Sequence, residues 1–200
     1  ELKYLAGFHG IFSTSVDSRV SPNTSQNFCE FVDAVVSVSR YIGGSFFYKS
    51  KFNYKRSRGE AIEHEAQHCE EYAINQFSLI EDKFEIINDG VSVKDIAKHV
   101  DIAFVYSMST STFELLQEHV KVIVFWPFKK IPHLFSKSLP LLVARDPSEL
   151  IKNSIQLNKM SKQEYYDYVK PYFEKHTGTV TVGDSSQLTD AAAAMILMKE

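Results

Sequence analysis

The chain of 200 residues is 44% apolar and 24% charged, enough to bury the core of one α/β domain and too apolar for a disordered segment. Its net charge of −3, with both signs interspersed, lacks the basic footprint that nucleic-acid or anionic-membrane binding requires, and only residues 49–58 are locally basic. No run of about 18 apolar residues offers a membrane span, and Cys29 and Cys69 have neither CxxC spacing nor the numbers of a disulfide framework, which agrees with a reducing, cytoplasmic compartment. The chain opens at Glu1 rather than Met and has no basic-then-apolar leader, so we expect it to be cut from a longer protein.

In chain order, residues 2–12 form a mostly apolar run that ends in Ser13, Thr14 and Ser15, the pattern of a buried strand entering a polar loop. Phe28, Phe31, Val32, Val35, Val38 and Ile42 then recur at helical spacing until Gly43-Gly44 stops them, and residues 45–48 read as the second strand. A helix over about 60–79 carries the stripe Ile62, Ala66, Cys69, Ala73 and Phe77, followed by a short strand at 84–87. Ser92 and Asp95 approach a capping box, giving a helix to about His99, and 101–106 is a strand. Ser111 or Thr112 starts a helix through Glu118, and 121–126 returns as a continuous apolar strand, as strands buried on both faces do. Residues 139–143 read as a last strand, Asp146-Pro147 opens a helix to about Leu157, and the box Ser161 to Glu164 opens one to about Lys175. A final helix spans 184–199. This near-strict alternation predicts one Rossmann-like α/β domain over residues 1–200, a parallel sheet with helices on both faces.

In such a sheet, ligands bind beyond the carboxyl ends of the strands, in loops near residues 13–19, 49–58, 89–92, 107–112 and 126–133. Residues 107–112 hold five hydroxyls in six positions, between a strand and a helix whose first amides and dipole attract an anion. Ser109, Thr110, Ser111 and Thr112 are therefore candidate phosphate ligands. The plainer reading is that they only cap the helix, although one cap needs one hydroxyl. Lys49 and Lys51 bring an ammonium to the same sheet edge, either to neutralise a phosphate or as part of a solvated basic loop. Glu114, expected in the first turn of the following helix, suits ribose or sugar hydroxyls or simply the dipole.

A competing motif is His64-Glu65-Ala66-Gln67-His68, which fits HExxH, two histidines one turn apart for zinc and a glutamate to activate water. The wheel places His64 and His68 nearly opposite the apolar stripe, on a face shared with Glu60, Gln67, Glu71 and Asn75. A catalytic zinc would also need a third ligand, for which Glu81, Asp82 and Glu85 are the candidates. No resident metal is expected, and a zinc metallohydrolase through His64, Glu65 and His68 stands as a lesser alternative. No Walker loop, GxGxxG or GxSxG is present, and His9, His99, His119, His133 and His176 occur singly.

The order of features from Asp89 to Phe125 resembles the donor-binding, carboxyl-terminal domain of GT-B glycosyltransferases, especially those that build bacterial capsule, O-antigen or lipopolysaccharide. It lies in residues 96–102 leading into a strand, the run Ser109-Thr110-Ser111-Thr112-Phe113-Glu114, and the strand 120–125. Residues 48–51 and 142–150 are similar to further parts of those enzymes. The resemblance implies a transferase moving a sugar from a CMP- or UDP-linked donor to a growing surface polysaccharide, with no cofactor required. It implies donor phosphate on Ser109, Thr110, Ser111 and Thr112, aided by Lys49 or Lys51, and sugar or ribose on Glu114. The chain lacks the His-Pro dipeptide of the CMP-sugar branches and the EX7E pattern of the UDP/GDP branches, which leaves CMP and UDP both open. Acceptor and general base are expected on a second domain outside this chain, so no catalytic residue is assigned. The helix at 184–199 is expected to pack on that domain, and activity of the piece alone to be low. The expected site of work is the cytoplasm or the inner face of its membrane. The alternative from another class is a non-catalytic Rossmann-like module that binds a partner within a larger synthase.

Overall fold

The computed structural model describes residues 4–9, 25–49, 60–80, 84–87, 91–107, 109–128 and 131–176, the backbone alone for 4–9, 60–66 and 173–176. Six strands, β1 (Tyr4–His9), β2 (Ser45–Lys49), β3 (Phe84–Ile87), β4 (Ile102–Tyr106), β5 (Lys121–Phe125) and β6 (Val143–Ala144), form one sheet in the order β3-β2-β1-β4-β5-β6. Every pairing is parallel, with Leu5 between Phe46 and Ile102, and Gly7 between Tyr48 and Phe104. All five residues of β4 and four of the five in β5 are buried, the reason both read as unbroken apolar runs.

Helix α1 (Ser25–Ile42) packs against α2 (Glu60–Phe77) and α5 (Pro147–Lys159), while α3 (Val93–Ala97) packs against α4 (Thr110–Gln117). Right-handed crossovers require this grouping. Helices on the path from β1 to β3 cover one face, and those on the returning path from β3 to β5 cover the other. Phe28 and Phe31 of α1 set their rings against Tyr106, at 5.3 and 5.5 Å between centroids, and Phe31 also meets Phe125 at 5.8 Å. Each fully buried ring of this kind contributes roughly 1.5–3 kcal/mol, and these contacts fix α1 over the ends of β4 and β5. Gly43 terminates α1 at φ 74°, its amide donating to Ser39 O at 2.8 Å, the left-handed cap that glycine adopts most readily.

The caps read from sequence form as contacts. Asp95 N–H donates to Ser92 Oγ at 3.1 Å and Glu149 N–H to Asp146 Oδ1 at 2.9 Å. Ser161 and Glu164 exchange bonds of 2.7 and 3.2 Å at the start of α6 (Lys162–His176). On α6, Tyr165 and Tyr168 hydroxyls accept from the amides of Val122 and Leu141, seating the helix beside β5.

Three expectations shift. Helix α3 stops at Ala97 rather than near His99. The strand expected at 139–143 is a 3-10 turn over Pro140–Leu142 and only two residues of β6, because Pro140 has a fixed φ and no N–H for a ladder. Helix α4 begins at Thr110, not at Ser111 or Thr112, because Ser109 takes the cap. The helix expected at 184–199 lies outside the described residues. No helix among the described residues is long and apolar enough to cross a membrane.

Candidate functional site

The chain runs outward from β1 through β2 to β3, then returns to the other side of β1 at β4. That reversal makes the carboxyl ends of β1 and β4 the topological switch point, the position at which open α/β sheets generally take their ligands. The hydroxyl-rich turn leaves β4 at this point. Ser107 is buried in a left-handed conformation, φ 62°, and its amide donates to Phe125 O at 3.0 Å, so the turn stays tied to β5.

Ser109 is the cap of α4. Its Oγ accepts from Ser111 N–H at 3.3 Å, a long contact, and its carbonyl from Thr112 N–H at 3.1 Å, an ordinary one. Thr110 is exposed and Ser111 half-buried. Thr112 is 3% exposed, and its Oγ1 has no hydrogen-bond partner among the described residues. Thr112 is the third residue of α4, and its Cα–Cβ bond tilts toward the amino end of the helix. Capping accounts for Ser109 and leaves the Thr112 hydroxyl unexplained.

The other candidates are arranged differently from expectation. Lys49 is the last residue of β2, about 10 Å or two strand spacings from β4. Its Nζ donates to Val91 O at 2.7 Å, which holds the ammonium on the segment leading into α3. Lys51 lies outside the described residues. Glu114 is half-buried in the second turn of α4 rather than the first, because the helix starts earlier than its pattern suggests, so the dipole has little hold on it.

On α2, Cys69, Ala73 and Phe77 are buried, whereas the His68 side chain is 78% exposed with Nδ1 3.7 Å from Glu71. The side chains of His64 and Glu65, and residues Glu81 and Asp82, lie outside what is described, and Glu85 is exposed on β3. Among the described residues no three of His, Cys, Asp and Glu gather as a metal group.

Sequence reasoning passed over His133 as a lone histidine. Its ring packs against Trp126 and Phe135, each 5.1 Å away, and its Nδ1 accepts from Phe135 N–H at 3.2 Å. Trp126 Nε1–H closes the loop onto Ile131 O at 2.7 Å. Phe135 continues the contact to Phe113 of α4 at 5.7 Å and to Tyr172 of α6 at 5.1 Å. Burial pushes the imidazole down to about 4, so it is neutral at pH 7. The density of aromatic residues just after β5 was the available signal.

The fold is similar to that of the trehalose-phosphate synthase (UDP-forming) of Burkholderia xenovorans, at 10% identity and TM-score 0.55, over 84% of this chain and 38% of that one. It is similar at TM-score 0.58 and 11% identity to an E. coli trehalose-6-phosphate structure bound with UDP-2-fluoro glucose, over 86% and 40%. The amino-terminal domain of Candida albicans trehalose-6-phosphate phosphatase gives 0.55 and 11%, over 86% and 37%. These likenesses define the fold as the Rossmann-like half of a GT-B architecture. The sequence comparisons point elsewhere. Residues 134–200 match the family described as thiolase, N-terminal domain. Beta-ketothiolase BktB of Cupriavidus necator is 32% identical over 124 residues, 60% of this chain and 29% of that protein. A 3-ketoacyl-CoA thiolase of Hahella chejuensis is 45% identical over 49 residues, 24% and 12%. The chain thus spans less than a third of either curated relative and about two fifths of the structural ones.

Proposed function

We propose that this chain is the donor-binding domain of a nucleotide-sugar glycosyltransferase and holds the donor's phosphate at the amino end of α4. The observation that carries the proposal is Thr112 Oγ1, buried and without a partner among the described residues, in the first turn of the helix that follows β4, where the strand order reverses. An unpaired buried hydroxyl costs about 1–3 kcal/mol, a cost that a bound anion would offset by accepting its hydrogen. The amide of Ser111, held only at 3.3 Å, and the exposed hydroxyl of Thr110 supply further donors, and the helix dipole favours the charge. As the glycosidic bond breaks, charge grows on the leaving phosphate, where these fixed donors stabilise it without a resident metal. The GT-B fold and the UDP-2-fluoro glucose bound in one structural neighbour support this choice of ligand class.

The finer reading follows the sequence resemblance. The donor is CMP- or UDP-linked, with Glu114 on the sugar or ribose. The acceptor is a bacterial surface polysaccharide growing at the inner face of the cytoplasmic membrane, and acceptor and general base sit on a second domain. Calorimetric titration with UDP, CDP, CMP and their sugar conjugates tests the core of the proposal. Binding that weakens about 5- to 150-fold in Ser109→Ala/Thr112→Val supports it. No heat with any of them overturns it.

A second reading comes from the thiolase match at 134–200, which includes β6, α5 and α6. Acetyl-CoA released from acetoacetyl-CoA and CoA by the purified chain, with no nucleotide binding, would make that reading the better one.

A further inference from the structure

Resting on the proposed donor site, we infer that His133 is a second binding residue of that site, giving its Nε2–H to a phosphate oxygen of the nucleotide. Histidine is a poor choice for filling an apolar box. Trp126 and Phe135 pack against it, Phe128 backs Trp126, and a phenylalanine would occupy the same space without a polar group to desolvate. Only one of its two nitrogens has a structural task. Nδ1 accepts the Phe135 amide, which fixes the tautomer and places the proton on Nε2. No hydrogen bond joins Nε2–H to any of the described residues.

The box also lies at the carboxyl edge of the sheet, the edge that carries the proposed donor site. It follows β5, the strand next to β4, at the sheet edge from which the hydroxyl turn departs. Phe135 bridges it to Phe113, the residue after Thr112. An uncharged N–H donor there adds direction to a site whose attraction comes from helix amides, and the surrounding rings keep it from turning away. The side chain is 4% exposed, so it is held as firmly as a core residue while one ring nitrogen is left over.

Two substitutions separate this role from a purely structural one. Asparagine presents an acceptor where Nδ1 lies and has no donor at Nε2, whereas glutamine places an N–H donor near Nε2 and gives up the Nδ1 contact. In His133→Asn we expect UDP or CMP affinity to fall about tenfold with little change in uridine or cytidine binding, and in His133→Gln we expect most of the nucleotide affinity to return. Equal loss for nucleotide and nucleoside, or no loss in His133→Asn, overturns the inference. Should that variant fail to fold, 15N imidazole resonances of the wild-type chain decide: nucleotide moves Nε2 and leaves Nδ1 in place, and an unmoved Nε2 overturns it. Weakening by Ser109→Ala/Thr112→Val without weakening by His133→Asn sinks this inference alone, while absence of all nucleotide binding sinks it together with the donor site.

Discussion

Replacing Thr112 by valine removes an oxygen that lacks a partner and keeps the shape of the side chain. We therefore expect Thr112→Val to raise the stability of the ligand-free chain by about 1 kcal/mol while lowering nucleotide affinity, measured by urea denaturation and calorimetry on the same protein. Lower stability would mean that the hydroxyl already has a structural partner. His133 gives a second prediction, in pH. Its folded pKa of about 4 lies below the ordinary value near 6.5, so the folded chain binds fewer protons than the unfolded one between those limits. Stability from this group is complete above pH 6.5 and is lost as pH falls toward 4, by at most about 3 kcal/mol. Denaturation midpoints at pH 7 and pH 5 should therefore differ less in His133→Phe than in the wild-type chain, and an equal difference would remove the residue from the acid response. The hydroxyl run was legible in sequence because its residues are contiguous. That Thr112 is the unpartnered one was not, since it depends on burial by elements distant in the chain.

At the scale of elements, the caps were the easiest features to read, because Ser92 with Asp95, Asp146 with Glu149 and Ser161 with Glu164 meet within one helical turn. Asp146→Ala should cost about 1 kcal/mol in thermal or chemical unfolding by freeing the Glu149 amide at the start of α5. Gly43→Ala should cost about the same for a different reason. No atom lies within 4 Å of an added Cβ, so the loss comes from forcing a side chain to φ 74°. Unchanged unfolding in either variant would place the start signal of α5 or the stop signal of α1 elsewhere. The misread elements show the complementary limit. The apolar residues at 139–143 suit a strand, but Pro140 cannot donate to a ladder, and the segment is better satisfied as a turn with Leu142 N–H on Leu139 O at 3.0 Å.

For the whole molecule, alternating strands and helices were enough to expect a parallel sheet, because a βαβ crossover leaves little freedom of hand. The strand order was not available from the same pattern. Nothing local to α3 says that its chain crosses back over β1 before entering β4, yet that reversal sets the switch point at which Ser107 leaves the sheet. Likewise, the pull between the GT-B fold and the thiolase match is invisible to hydrophobic periodicity, which reports secondary structure and carries no record of chemistry.

The bond from Ser107 N–H to Phe125 O extends the contact between β4 and β5 beyond the last strand residues, so the mouth of α4 is an extension of the sheet rather than a loose loop. At the proposed donor site a nucleotide would meet a backbone already held by the sheet. Its association should follow a single concentration-dependent phase in stopped-flow traces, with no slower isomerisation, and the Ser107 amide should exchange with deuterium equally slowly in the free and bound chains.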